Sequence, residues 1–277
     1  MAIASILHPT DLTRASEIAF DHALRIAVAT GARLTVLHVD DGPAHTAPED
    51  FPHVRETLAR WQVAFAATDA AAADAEGLPL HVEKINVRGH PLEAVLGHLE
   101  RTAADLVVLA THRHEGLERL LHRSLATPVA QRTRAMTLFL PHGVRGFVSH
   151  DEGWIGLRRI LVPVDRTPRP QPAIEAAAAL ARTLGVRRAL FTLLHVGSAS
   201  EAPAVHPPAN ADWTWEQVSR EGNVVEEILR ATWSTGADLV VLSTAGRAGI
   251  LDALRGSTTE RLLAEVPCPL LAVPVPE

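Results

Sequence analysis

Ala104-Asp105-Leu106-Val107-Val108-Leu109 recurs, residue for residue, as Ala237-Asp238-Leu239-Val240-Val241-Leu242. The offset is 133 (237 − 104), and Ser124 and Ser257 keep it. Upstream the offset widens. Leu37-His38-Val39 matches Leu194-His195-Val196 at 157, and Pro9-Thr10-Asp11 matches Pro163-Val164-Asp165 at 154. A chain that repeats itself in this way contains one structural unit twice. The second copy lacks about 24 residues (157 − 133) between its second and third strands.

The repeated run is apolar on both parities, as a strand covered on both faces should be. Around it, apolar runs alternate with helical patterns. In the first copy, Ser5–His8 reads as a strand and Ser16–Thr30 as a helix closed by Gly31. Arg33–Val39 follows as a strand, and Glu49–Glu76 as a long Ala-rich helix ended by Gly77. Leu80–Val87 is a strand by alternation, and Pro91–Thr102 a helix with Pro near its start. Leu106–Ala110 is a buried strand, Ser124–Arg134 a helix and Met136–Leu140 the last strand. The second copy repeats the series as Ile160–Val164, Ala173–Leu184, Ala189–Val196, Trp213–Ser219, Val224–Ser234, Leu239–Ser243, Ser257–Glu265 and Leu270–Val273. Its long second helix is replaced by the Pro-rich loop Gly197–Asp212, with Pro203, Pro207 and Pro208. This alternation predicts an α/β fold: two repeated, doubly wound, five-stranded parallel sheets. The units are residues 1–141 and 158–277. Residues 142–157 between them carry Val144, Phe147, Val148, Trp154 and Ile155 among four glycines, and are expected to form a packed hairpin or arm.

Composition excludes several classes. At 277 residues, 47% hydrophobic, 21% charged and net charge −6, the chain reads as globular and acidic, without the basic face that nucleic acid needs. It has no Tyr and 4% aromatics, which leaves no base-stacking platform. No apolar run reaches membrane-spanning length and no secretory leader is apparent, so the expected location is the cytoplasm. The lone cysteine, Cys268, excludes a disulfide framework and reads as a small core residue of the last strand.

The segment that carries chemistry runs from Leu239 to Thr258. A buried strand ends, Gly246 and Gly249 open a loop, and Gly256-Ser257-Thr258 starts a helix. Unpaired backbone amides and partial positive charge at a helix start suit an anion, and glycine lets a phosphate approach closely. Glycines in such turns also arise for purely steric reasons. No Gly-Lys-Ser/Thr is present at Walker spacing. Asp165 ends the first strand of the same copy. In a doubly wound sheet the first and fourth strands adjoin at the switch point, and ligands bind outside their carboxyl ends. An Asp there would accept from an adenine amine or a ribose hydroxyl; its plainer role is to cap the helix that follows.

Pro-x-Asp at the first strand, Leu-His-Val at the second, Ala-Asp-Leu-Val-Val, Gly-x9-Gly-Ser and the closing Pro267-Cys268-Pro269-Leu270-Leu271-Ala272-Val273 together resemble the universal stress protein family, twice along nearly the whole chain. The resemblance implies strand order 3-2-1-4-5, pairing of units through their fifth strands and, in some members, ATP binding through Gly-x2-Gly-x9-Gly-Ser/Thr. Carried over, Asp165 occupies the family's base- or ribose-contacting acid position, Pro163 the turn before it and Val196 the strand-end backbone that meets adenine, and Ser243 stands where the first glycine belongs. Gly246, Gly256, Ser257 and Thr258 then fall in register. The expected ligand is ATP, with Mg2+ on its phosphates. In the first copy, Ala110, Arg113 and Arg123 replace all three glycines ahead of Ser124, while Asp11 and Val39 survive; loss of ATP binding is expected there. The expected assembly is a pseudo-dimer of the two halves, itself open to homodimerisation and read by a protein partner. Two alternatives stand beside it. One is a scaffold without nucleotide. The other is a metal or anion site in the His- and Arg-rich first half, where His8, His112, His114 and His142 map near strand ends. Hydrolase elbow, zincin and dithiol motifs are absent, so at most slow ATP hydrolysis is expected.

Overall fold

The computed structural model describes residues 2–42, 45–62, 65–67, 78–111, 135–245 and 258–275. The first half contributes β1 (Ser5–Thr10), α1 (Arg14–Thr30), β2 (Arg33–Asp40), α2 (Val54–Arg60), β3 (Phe65–Ala67), β4 (Leu78–Leu80), β5 (Val82–Arg88), α3 (Pro91–Arg101), β6 (Leu106–Thr111) and β7 (Met136–Pro141). The second contributes β8 (Arg159–Pro163), α4 (Gln171–Thr183), β9 (Ala189–Val196), β10 (Trp213–Arg220), α5 (Val224–Thr235), β11 (Leu239–Ala245), α6 (Thr258–Glu265) and β12 (Leu270–Val275).

Ten strands form one sheet in the order β10-β9-β8-β11-β12-β7-β6-β1-β2-β5. Each half is parallel within itself and follows 3-2-1-4-5. The halves join edge to edge where β12 pairs antiparallel with β7, at Leu270↔Phe139, Leu271↔Leu138 and Ala272↔Thr137. Fusing the two fifth strands removes two exposed sheet edges. It also makes each core layer continuous across the halves. One face packs Ile6, Phe20, Leu138, Ile174, Val241 and Leu271, and the other packs Leu7, Val107, Phe139, Leu161, Leu263 and Leu270.

The aspartate of the repeated motif explains itself here. Asp105 Oδ2 accepts from the amides of Ala4 and Ser5 at 2.9 Å each. Asp238 Oδ2 accepts from those of Arg158 and Arg159 at 2.8 Å each. In both halves this carboxylate pins the start of the first strand beside the fourth, which fixes the register of the strand pair that frames the crevice described below.

The predicted helix over 49–76 is corrected. A 3-10 turn at Pro48–Asp50 precedes α2, and Gln62 adopts φ 54 just beyond it. β3 then pairs in parallel with β4 as a separate two-stranded sheet. Alanine-rich composition is a weak local preference, and a tertiary contact ends the helix. The Trp61 indole N–H donates to His150 O at 2.9 Å. Cys268 lies in the turn before β12 rather than within it. The predicted helix over Ser124–Arg134 falls outside the described residues.

Residues 142–157 pack against α1 and α2. Val148 and Ile155 form an antiparallel bridge, and Phe147, Val148 and Leu157 are buried. His22 anchors them: its Nε2 accepts from the amides of Phe147 (3.0 Å) and Val148 (3.2 Å), while its Nδ1–H donates to Ile18 O (2.7 Å). Arg25 and Arg60 add bonds to the carbonyls of Gly153 and His150, at 3.0 Å each. In the second half, which has no counterpart of α2, Trp213 and Trp215 are packed on the sheet. Trp215 stacks on Phe191 with ring centroids 4.0 Å apart.

Candidate functional site

At the switch point of each half the first and fourth strands pair only at their beginnings. β8 and β11 are in register at Leu239↔Ile160 and Val240↔Leu161, although β8 runs on to Pro163 and β11 to Ala245. β1 and β6 behave likewise, at Ile6↔Leu106 and Leu7↔Val107. Beyond those rungs the pairing of the two strands does not continue, and their carboxyl ends are where a doubly wound sheet forms its ligand crevice.

The two crevices are lined differently. In the first half a side chain stitches the gap. His8, fully buried on β1, donates from Nδ1 to Val108 O of β6 at 3.0 Å. Burial lowers its pKa to about 4, so the ring is neutral. Asp11 is used locally: one carboxylate oxygen accepts from the Thr13 amide (3.0 Å), Thr13 Oγ1 (2.7 Å) and Ser16 Oγ (2.7 Å), holding the start of α1. At the end of β2, Asp40 gathers the neighbouring loop. It accepts from Thr46 Oγ1 at 2.6 Å and Asn86 Nδ2 at 2.9 Å, with His38 Nε2 at 3.3 Å and His45 Nδ1 at 3.2 Å. The Thr46 hydroxyl, then Asn86 and His45, hold its carboxyl well below the usual carboxylate range.

The second half lacks these closures. Val162 stands at the His8 position (8 + 154), so no ring bridges the strands there. Ser243 stands at the Ala110 position, and its Oγ is buried with no hydrogen-bond partner among the described residues. Asp165 is exposed, and its carboxylate accepts from the adjacent Arg166 amide at 2.7 Å. It does not cap α4, which begins six residues later with Pro170 at its N-cap. The capping role that was the plainer expectation for Asp165 is absent in both halves: Asp11 binds Thr13, the N-cap residue of α1, and the Ser16 hydroxyl, but no side chain caps that helix. Gly197 replaces Asp40 (40 + 157), and the loop after it runs without a counterpart of α2. Arg166 Nε donates to Glu201 O at 3.1 Å, and the Gln171 side chain pairs with both backbone groups of His206, at 2.9 and 3.1 Å.

Pro163, Asp165, Val196 and Ser243 are therefore brought to one end of the sheet. Thr258 begins α6, and Gly246, Gly256 and Ser257 lie outside the described residues, as do Arg113, Arg123 and Ser124 of the first half. Of the four histidines considered for a metal, His8 is buried in the strand gap and the His142 amide bonds Thr111 O at 2.8 Å; His112 and His114 lie outside the described residues. Among the described residues no trio of His, Cys, Asp or Glu is grouped to hold a metal ion, and no helix is long and apolar enough to cross a membrane. Residues that sequence reasoning missed are His8 as a strand-to-strand stitch, Asp40 as a loop anchor and His195, whose Nε2 is buried with no partner among the described residues. The signal for the first two lay in the repeat itself, where His8 faces Val162 and Asp40 faces Gly197 across the alignment.

Comparison with known proteins gives the same architecture. A model of the universal stress protein family matches residues 3–141 and 210–274. A universal stress protein structure from Archaeoglobus fulgidus aligns with 98% of this chain and 96% of its own, at 17% identity and TM-score 0.64. A putative universal stress protein from Pseudomonas aeruginosa aligns with 99% of this chain and 94% of its own, at 15% identity and TM-score 0.60. A universal stress protein solved in complex with cAMP aligns with 51% of this chain and 98% of its own, at 22% identity and TM-score 0.38. Among the curated proteins nothing matches.

Proposed function

Because the chain belongs to the universal stress protein family, we propose that it is a cytoplasmic stress-response regulator that holds one ATP, with Mg2+ on the phosphates, in the crevice of its second half. One observation carries this reading. The same strand arrangement is built twice in one chain; the first copy is stitched by His8 and Asp40, with His8 Nε2 left buried without a partner among the described residues, and in the second no ring bridges the strands, Ser243 Oγ is buried with no partner among the described residues and Asp165 is exposed. A buried polar atom without a partner costs roughly 1–3 kcal/mol. An orphan hydroxyl at a strand end is therefore an acceptor and donor waiting for a ligand, and it fits a polyhydroxylated, phosphorylated one. Asp165 would take a ribose hydroxyl or the adenine amine, and Val196 would meet the base with its backbone. Gly246, Gly256, Ser257 and Thr258 would offer amides and hydroxyls to the phosphates. The first half serves as the rigid partner across the β7–β12 seam, and the occupied state is what another protein reads.

Purified protein, heat-denatured and cleared, should release adenine nucleotide, and added ATP should raise the melting temperature of stripped protein. Asp165→Ala should weaken binding by about tenfold or more, the worth of a lost charge-assisted bond. Asp11→Ala should leave it unchanged, since Asp11 is committed to α1. No released nucleotide together with no thermal shift would leave a scaffold without ligand as the correct reading.

A further inference from the structure

The two second strands end in the same Leu-His-Val, and their histidines differ in one respect. His38 donates from Nδ1 to Thr10 O at 2.9 Å, and its Nε2 meets Asp40 Oδ1 at 3.3 Å. His195 repeats the first bond, from Nδ1 to Val164 O at 3.2 Å. Its Nε2 is buried with no hydrogen-bond partner among the described residues, and the residue is 4% exposed. The cause is the residue two positions on: Gly197 stands where Asp40 stands in the first half, and removes the carboxylate.

The first bond also fixes the chemistry of the second nitrogen. A carbonyl oxygen only accepts, so the ring proton sits on Nδ1, and in the neutral ring Nε2 carries a lone pair. The orphan is therefore an acceptor. It belongs to a ring bonded to residue 164, immediately before Asp165, at the carboxyl end of β9 beside β8. Gly197 lies directly against it. A Cβ added there would stand 2.9 Å from Nε2, and the backbone holds φ +153, a conformation that favours glycine. This turn leads into the 3-10 turn Ala199–Glu201, which Arg166 holds through its bond to Glu201 O.

We propose that His195 reads the base: its Nε2 accepts a hydrogen bond from an exocyclic amine of the bound ring, which selects a 6-amino purine over a 6-oxo purine. The inference rests on the nucleotide reading above and adds a selectivity element to it. A 6-oxo group would set an acceptor against an acceptor, and a site that leaves a polar group unpaired rejects the wrong ligand strongly.

ATP and ITP, which differ at C6 by amine against oxo, are the probes. In protein carrying 15N-histidine, saturating ATP at pH 7.5 should shift the His195 Nε2 resonance, and ITP should not produce that shift. His195→Phe should lower ATP affinity by about tenfold or more while ITP affinity holds within about twofold. His195→Gln, checked for fold by circular dichroism, should recover part of the ATP affinity through its carbonyl. If ATP binds and the Nε2 resonance stays in place, or the ATP-to-ITP ratio survives in His195→Phe, His195 is not the reader and the nucleotide site stands without it. If neither nucleotide binds, the site itself falls and the inference with it.

Discussion

Lowering the pH from 7.5 to 5 should destabilise the chain, through two histidines that the fold keeps neutral. His8 and His22 are fully buried, and burial lowers each from 6.5 to about 4. The geometry of His22 gives the reason: a proton on Nε2 would point at two backbone N–H groups that it now receives. The unfolded chain takes up these protons near 6.5 and the folded chain only near 4. The stabilisation is therefore whole above pH 6.5 and declines as the pH falls toward 4. At pH 5 the loss is about 2 kcal/mol for each ring, and below pH 4 it approaches about 3.4 kcal/mol. Asp21 works in the opposite sense. Burial raises its carboxyl to about 6, against the lowering effect of its 2.7 Å bond with His150. The folded chain takes this proton first, and by pH 5 regains about 1.4 kcal/mol that was absent at neutral pH. The histidines outweigh it, leaving a net loss of about 2–3 kcal/mol from a total on the order of 5–15 kcal/mol. Urea unfolding at pH 7.5, 6.5 and 5.0 reads the loss, and histidine ring NMR assigns it. Stability that is flat or rising toward pH 5, or a His22 ring that titrates near 6.5 in the folded chain, would refute the reasoning.

Gly146→Ala should cost at least about 2 kcal/mol in a thermal melt, because φ is +73 and the new Cβ would stand 2.2 Å from His22 Cε1. Phe139→Ala, on β7 opposite Leu270, should cost about 3–5 kcal/mol, since the ring is 1% exposed and fills the core layer at the seam. Cys268 should resist thiol reagents until the chain unfolds, because burial pushes its thiol up to about 12; modification of the folded protein within minutes would contradict this.

Much of the strand framework was legible because strands buried on both faces announce themselves. Leu106–Leu109 and Leu239–Leu242 are apolar at every position, and both pair where a fourth strand belongs. Gly31 marked a helix end and adopts φ 69. What stayed hidden depends on partners distant in sequence. Ala-rich residues 49–76 carry a helical preference, but α2 is cut short where Trp61 meets an acceptor 89 residues away. His22 looked like one more position on a helical stripe, and its two amide partners lie 125 and 126 residues downstream. The site divides in the same way. Asp165 and Ser243 could be placed by counting from the repeat. That Asp11 is consumed at the start of α1 while Asp165 is exposed goes with Ser16, whose hydroxyl has no counterpart at Pro170; Thr13 keeps its hydroxyl counterpart in Thr167.

The number of nucleotides bound per chain tests the account most directly. Equilibrium dialysis with labelled ATP should give one per chain, and Gly256→Arg, which copies Arg123 of the first half into the second, should bring it to zero. A count of zero in the unaltered protein, a count of two, or a single site indifferent to Gly256→Arg would contradict the claim that only the second crevice is built to receive a ligand.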